Sequence, residues 1–213
     1  TGHEWDVTVA KFSPDGQYII SGSKDGTLRL WDRKGHLLGQ PFVGHKGAVT
    51  SVAVSPDQRC IISGSEDETI RVWDIASDTI SIFKKQKAPV NSVAISPDSQ
   101  LVASGDEDGK IQIWDKQGNP IGKLFGGQDD AVTSLTFSPN GQFIASVSRD
   151  RTLRLHDVHG RPIAKPFWRY KHLNSLAEFT LRVYDRLHYF YRARHHWSVV
   201  TVGISLLWLL FAI

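Results

Sequence analysis

From Val7 to Asp157 apolar and polar residues alternate in short bursts separated by turn residues, the pattern of half-buried β-strands. Val7 to Phe12 alternates, Ser13-Pro14-Asp15-Gly16 forms a turn, Tyr18 to Ser23 alternates, Asp25-Gly26 forms a tight turn, and Thr27 to Trp31 alternates again. A weaker strand follows at Leu37 to Phe42, with counterparts at Ile80 to Phe83, Ile121 to Phe125 and Ile163 to Phe167. Pro41 fits only an edge position there.

These bursts belong to a repeat. FSPDGQYIISGSKDGTLRLWD, from Phe12 to Asp32, recurs from Val54 to Asp74, from Ile95 to Asp115 and from Phe137 to Asp157. Trp31, Trp73, Trp114 and His156 stand 42, 41 and 42 residues apart, which is room for four short strands. Each unit is predicted as a four-stranded antiparallel meander that cannot bury both faces alone. Neighbours must therefore stack, so the expected fold is all-β, with β-propeller blades at 1–43, 44–85, 86–126 and 127–167. Four blades make a partial or open propeller, which predicts further blades upstream or, less favourably, closure by self-association.

The pattern changes after Phe167. Ser175-Leu176-Ala177-Glu178 reads as a capping box, and Leu176, Thr180, Val183, Leu187 and Phe190 follow 4, 3, 4, 3 spacing, predicting a basic amphipathic helix within 168–197. The 16 residues from Ser198 to Ile213, including Trp208, carry no charge and follow Arg192, Arg194 and Trp197. As a helix the run from Trp197 would span about 25 Å against a hydrocarbon core of ~30 Å. It is read as a minimal or truncated transmembrane segment, with the positive flank placing the propeller on the cytoplasmic side. A buried helix or an assembly element is the alternative, and the protein would then be cytoplasmic.

Composition sharpens this division. Residues 1–167 carry 19 basic and 20 acidic side chains, whereas 168–213 carry 6 and 2. The balanced body offers no electrostatic footprint for nucleic acid, and the basic tail points to a membrane surface. The single Cys60 excludes an internal disulfide framework, and the absence of methionine predicts an excerpt of a longer protein.

Gly2-His3 and Gly44-His45, the four SPDG-like turns, the SGS-x-D-x-T segments and the endings Trp31-Asp32, Trp73-Asp74 and Trp114-Asp115 resemble the WD-repeat (WD40) propeller family. The resemblance covers about 167 of the 213 residues, and its linkers are similar to those of bacterial, particularly cyanobacterial, multidomain proteins. It implies a hydrogen-bonded structural network of Ser21, His3, Asp25 and Trp31 in the first repeat, and of Ser63, His45, Asp67 and Trp73 in the second. The corresponding sets are Ser104, Asp108 and Trp114 in the third repeat, and Ser146 and Asp150 in the fourth. Asn140 for Asp, Val147 for Gly and His156 for Trp mark the fourth repeat as terminal, with a weaker network.

Ser, His and Asp together also suggest a hydrolase. A catalytic triad is a single exposed constellation, however, whereas this set recurs, lacks a G-x-S-x-G elbow, and has Gln86 and Gln128 at the His position of two repeats. The expected protein is therefore not an enzyme and carries no cofactor. His188, His195 and His196 are read as an interfacial basic cluster rather than metal ligands, and no metal is expected.

Where the scaffold is constant, loops that differ between repeats encode a surface. The resemblance places the loop before the first strand and the second-to-third turn on one rim. Trp5 is the candidate anchor for a protein or peptide, with Lys24, Lys46, Arg149 and Arg151 as its electrostatic border. The competing readings are that Trp5 covers the end of a preceding blade and that the charges are ordinary solvated loops. Two functions follow as expectations: a non-catalytic scaffold tethered to a membrane, or the sensor portion of a larger signalling enzyme whose catalytic domain lies elsewhere.

Overall fold

A computed structural model describes residues 2–76 and 80–163. The chain divides at Trp168/Arg169, and the described residues all precede that division. The predicted tail elements, with Arg192, Arg194, Trp197 and Trp208, lie outside them. Among the described residues no helix is long and apolar enough to cross a membrane.

Three repeats form four-stranded antiparallel sheets in chain order. Blade 1 contains β1 (Val7–Phe12), β2 (Tyr18–Ser23), β3 (Thr27–Asp32) and β4 (Leu37–Val43). Blade 2 contains β5 (Val49–Val54), β6 (Cys60–Ser65), β7 (Thr69–Asp74) and β8 (Ile80–Lys85). Blade 3 contains β9 (Val90–Ile95), β10 (Leu101–Asp106), β11 (Ile111–Asp115) and β12 (Pro120–Phe125). The fourth repeat has three described strands, β13 (Val132–Phe137), β14 (Phe143–Ser148) and β15 (Leu153–Asp157). Its expected fourth strand falls mostly outside the described residues, and Ile163 lies in no strand.

Strand alternation explains why each blade needs a neighbour. In β6, Ile61 packs with Ile20, Leu28 and Val49 toward blade 1, while adjacent Ile62 packs with Val90, Val93 and Trp114 toward blade 3. Val102 and Ala103 divide in the same way between the second and third interfaces. Successive side chains point to opposite sheet faces, so an apolar pair buries one residue on each side. The core consequently lies between blades, and β1, β5, β9 and β13 follow one another along the stack.

The turns fix the loops around this core. Ser13 Oγ donates to Asp15 at 2.5 Å, and the same arrangement recurs at Ser55–Asp57 and Ser96–Asp98. The last turn position is left-handed in every repeat, at Gly16, Gln58, Ser99 and Gly141. Gln58 and Ser99 adopt that conformation without glycine's steric freedom.

Candidate functional site

The residues of the suspected triad assemble, and their geometry removes the nucleophile. In blade 2 the Trp73 indole N–H donates to Ser63 Oγ at 2.8 Å, and Ser63 Oγ lies 2.7 Å from His45 Nε2. His45 Nδ1 is 3.0 Å from Asp67 Oδ2 and 3.1 Å from Thr69 Oγ1. A neutral imidazole protonated at Nδ1 satisfies every partner: the indole donates to the serine, the serine donates to Nε2, and Nδ1–H donates to the carboxylate. Ser63 is buried and both roles of its hydroxyl are occupied. A reacting carbonyl would find neither an exposed oxygen nor an available base.

Blade 1 repeats this chain. Trp31 donates to Ser21 at 2.8 Å, His3 Nε2 lies 2.7 Å from Ser21, and His3 Nδ1 lies 3.1 Å from Asp25. Burial raises the Asp25 pKa, but hydrogen bonds from Thr27, from the Glu4 backbone N–H and from His3 outweigh it, leaving the value at about 2. The Asp67 carboxyl is pulled by burial in one direction and by Thr69, the Lys46 backbone N–H and His45 in the other, and is held well below the carboxylate range. Burial pushes the His45 pKa down despite Asp67, which favours the neutral tautomer the hydrogen bonds require.

The third repeat departs from the expected set. Gln86 and Trp114 both donate to Ser104 Oγ, the latter at 3.0 Å. Asp108, expected in this network, is exposed and does not meet Gln86, Ser104 or Trp114. Two substitutions account for the change: Gln86 supplies no imidazole N–H, and Lys110 replaces the threonine that donates to Asp25 and Asp67 in the first two blades. Asp106 takes over the turn, accepting from the Lys110 N–H at 2.8 Å. It is buried, and burial raises its pKa.

In the fourth repeat Gln128 donates to Ser146 at 3.0 Å, and Asp150 accepts from the Thr152 and Asp129 backbone N–H groups. His156, in the tryptophan position, is buried with Nδ1 unpaired and packs its ring 4.9 Å from that of Phe125.

The two variable loop sets meet on each blade. Lys24, Glu66, Glu107 and Arg149 donate their backbone N–H groups to the carbonyls of Asp6, Ala48, Pro89 and Ala131. Ser23 and Ser148 tie the same loops by donating to the Trp5 and Asp130 carbonyls. The Trp5 backbone is thus anchored while its residue is 67% exposed.

The basic candidates differ in their surroundings. Lys24 pairs with Asp6 at 2.9 Å, and Arg149 of blade 4 pairs with Glu107 of blade 3 at 2.5 Å. Lys46 and Arg151 are exposed, the latter at a left-handed turn position. Glu107 is the rim partner that sequence reasoning did not single out, because only stacking brings it beside Arg149. No group of three or more His, Cys, Asp or Glu among the described residues is arranged to hold a metal.

Residues 1–175 match the family model described as the IFT122 first beta-propeller. WD repeat-containing protein 1 of Bos taurus is 51% identical over 49 residues, covering 21% of this chain and 8% of the relative. A guanine nucleotide-binding protein subunit beta of Nicotiana tabacum is 58% identical over 38 residues, covering 17% of this chain and 10% of the relative. These matched stretches span a tenth or less of the relatives' lengths.

Proposed function

Because this chain belongs to the WD-repeat β-propeller family, whose members are typically protein-interaction scaffolds, we propose that its rim binds a protein or peptide without bond chemistry and that its basic, apolar tail holds this platform at a membrane. The observation carrying the binding role is the exposed Trp5 on a hydrogen-bonded backbone, bordered by charged loops that vary between repeats. A rigid aromatic surrounded by charge supplies desolvation energy at the centre and orientation at the edge. The sensor portion of a larger signalling protein would use the same rim, with the bound partner controlling a catalytic domain elsewhere.

A photo-crosslinking amino acid at Lys46, on the rim, tests this reading against one at Lys116, in the turn between β11 and β12. Adducts at 46 that disappear with Trp5→Ala support rim recognition. Equal labelling at both positions, unaffected by Trp5→Ala, overturns it.

A further inference from the structure

Blade 4 places a histidine where its three sister blades place a tryptophan. The indoles of Trp31, Trp73 and Trp114 each donate to the serine of their own blade, at 2.8, 2.8 and 3.0 Å. His156 takes that position, is buried, and its side chain hydrogen-bonds to nothing among the described residues, with Nδ1 shut off from solvent. His45, by contrast, has both ring nitrogens bonded. The His156 imidazole is therefore held by apolar packing alone, although it carries a donor and an acceptor.

That packing fastens a short strap, residues 157–163. Pro162 forms a backbone bridge with His156, the Ile163 N–H donates to the Leu155 carbonyl at 3.0 Å, and the Asp157 N–H donates to the Arg161 carbonyl at 2.9 Å. The Asp157 carboxylate accepts from the His159 and Arg161 N–H groups, each at 2.9 Å. Ring and strap both hold Phe125 of blade 3: the two ring centroids are 4.9 Å apart, and a Cβ added at Gly160 would lie 2.5 Å from Phe125 Cδ1. Val158 packs against the same apolar cluster.

Charging the ring in this seat is unfavourable. Burial pushes the His156 pKa down, Arg154 on the same strand adds to the effect, and Asp157 opposes it. Asp157 is itself shared with Arg161, at 3.6 Å, and with His159. The neighbouring elements bring no compensating charge. β14 sets Ile144 opposite His156, β12 contributes Phe125 while its Lys123 is exposed, and the loop before β13 contributes the neutral Gln128. Asp150 is engaged by Thr152 and by the Asp129 N–H.

We propose that His156 is an acid-sensitive latch, whose protonation releases its ring from Phe125 and frees the strap 157–163 while blades 1–3 stay closed. The tryptophan of the sister blades has no group that titrates in this range, so the device belongs to blade 4 alone. Its direction follows from linkage. Below the ordinary histidine value of 6.5 the opened strap takes up the proton before the closed one. Each pH unit then favours opening by up to about tenfold, until the closed form is protonated as well.

Native-state hydrogen exchange of the full chain in mild detergent reads the strap through the Asp157 and Ile163 amides, with rates corrected for the intrinsic pH dependence of exchange. Their protection should fall about tenfold or more between pH 7 and pH 5, with the near-UV circular dichroism spectrum retained. His156→Trp, which installs the sister residue, and His156→Gln, which is uncharged throughout, should each hold protection within about twofold. Two variants are compared so that poor packing of one, seen in its near-UV spectrum at pH 7, leaves the other to decide. Unchanged protection in the native chain overturns the proposal. An equal fall in a folded variant also overturns it, since His45 would then account for the effect. Loss of the native near-UV spectrum by pH 5 overturns it as well, because the whole fold rather than the strap would have opened.

Discussion

At the residue scale, the serine at the centre of each network controls how many buried groups are satisfied. Ser63→Ala leaves the Trp73 N–H and His45 Nε2 without their partner, and should cost about 2–3 kcal/mol. Ser146→Ala removes a hydroxyl bonded to Gln128 with no indole opposite, and should cost about 1 kcal/mol. Urea unfolding of both variants checks the order, and equal losses would refute the role assigned to the indole.

His45 adds a pH dependence whose sign follows from its lowered pKa. As pH falls below the ordinary histidine value of 6.5, the unfolded chain takes up the proton before the folded chain, so stability is lost. His45→Gln should therefore lose less stability than the native protein between pH 7 and pH 5, with His156 contributing equally to both. Parallel slopes in thermal melts at the two pH values would exclude His45 as a source. Protonation of the depressed Asp25 and Asp67 belongs to a separate window, below the ordinary carboxylate value of 3.8.

At the scale of elements, stability lies in the interfaces between sheets. Gly64→Val should cost about 2 kcal/mol or more through overpacking against Val90. Glycine in a strand is ordinarily a weakness, and here it permits the close approach of the next blade. Unfolding should therefore show a lower denaturant midpoint for Gly64→Val, while an unchanged midpoint would show that the interface can open by small backbone shifts. The strands and turns themselves were legible, because alternation and SPDG-like turns are local signals. Asp108 was misplaced because its role depends on partners at Gln86 and Lys110, one of them distant in sequence, and the spacing of the aspartate alone does not reveal their loss. The pairing of Glu107 with Arg149 was not legible for the related reason that the two residues belong to different blades.

At the scale of the whole molecule, charge and hydropathy divide the chain into a balanced body and a basic, apolar tail. Alkaline extraction should retain the full chain in the bilayer and release a version ending after Arg194, whose propeller residues remain intact. Release of both would remove the proposed tether and make the apolar run a packing or assembly element.

The sequence by itself determined the repeat, the strands and the tight turns, since each is written as a local spacing that backbone geometry must obey, while the resemblance to WD repeats is what implied the residues of the first two buried networks. The tertiary structure decided which groups meet across blades: Val49 against Gly22, and Arg149 with Glu107. Those outcomes depend on the approach of separate sheets, where a few tenths of an ångström decide whether a side chain fits, and no periodicity along one strand encodes that distance.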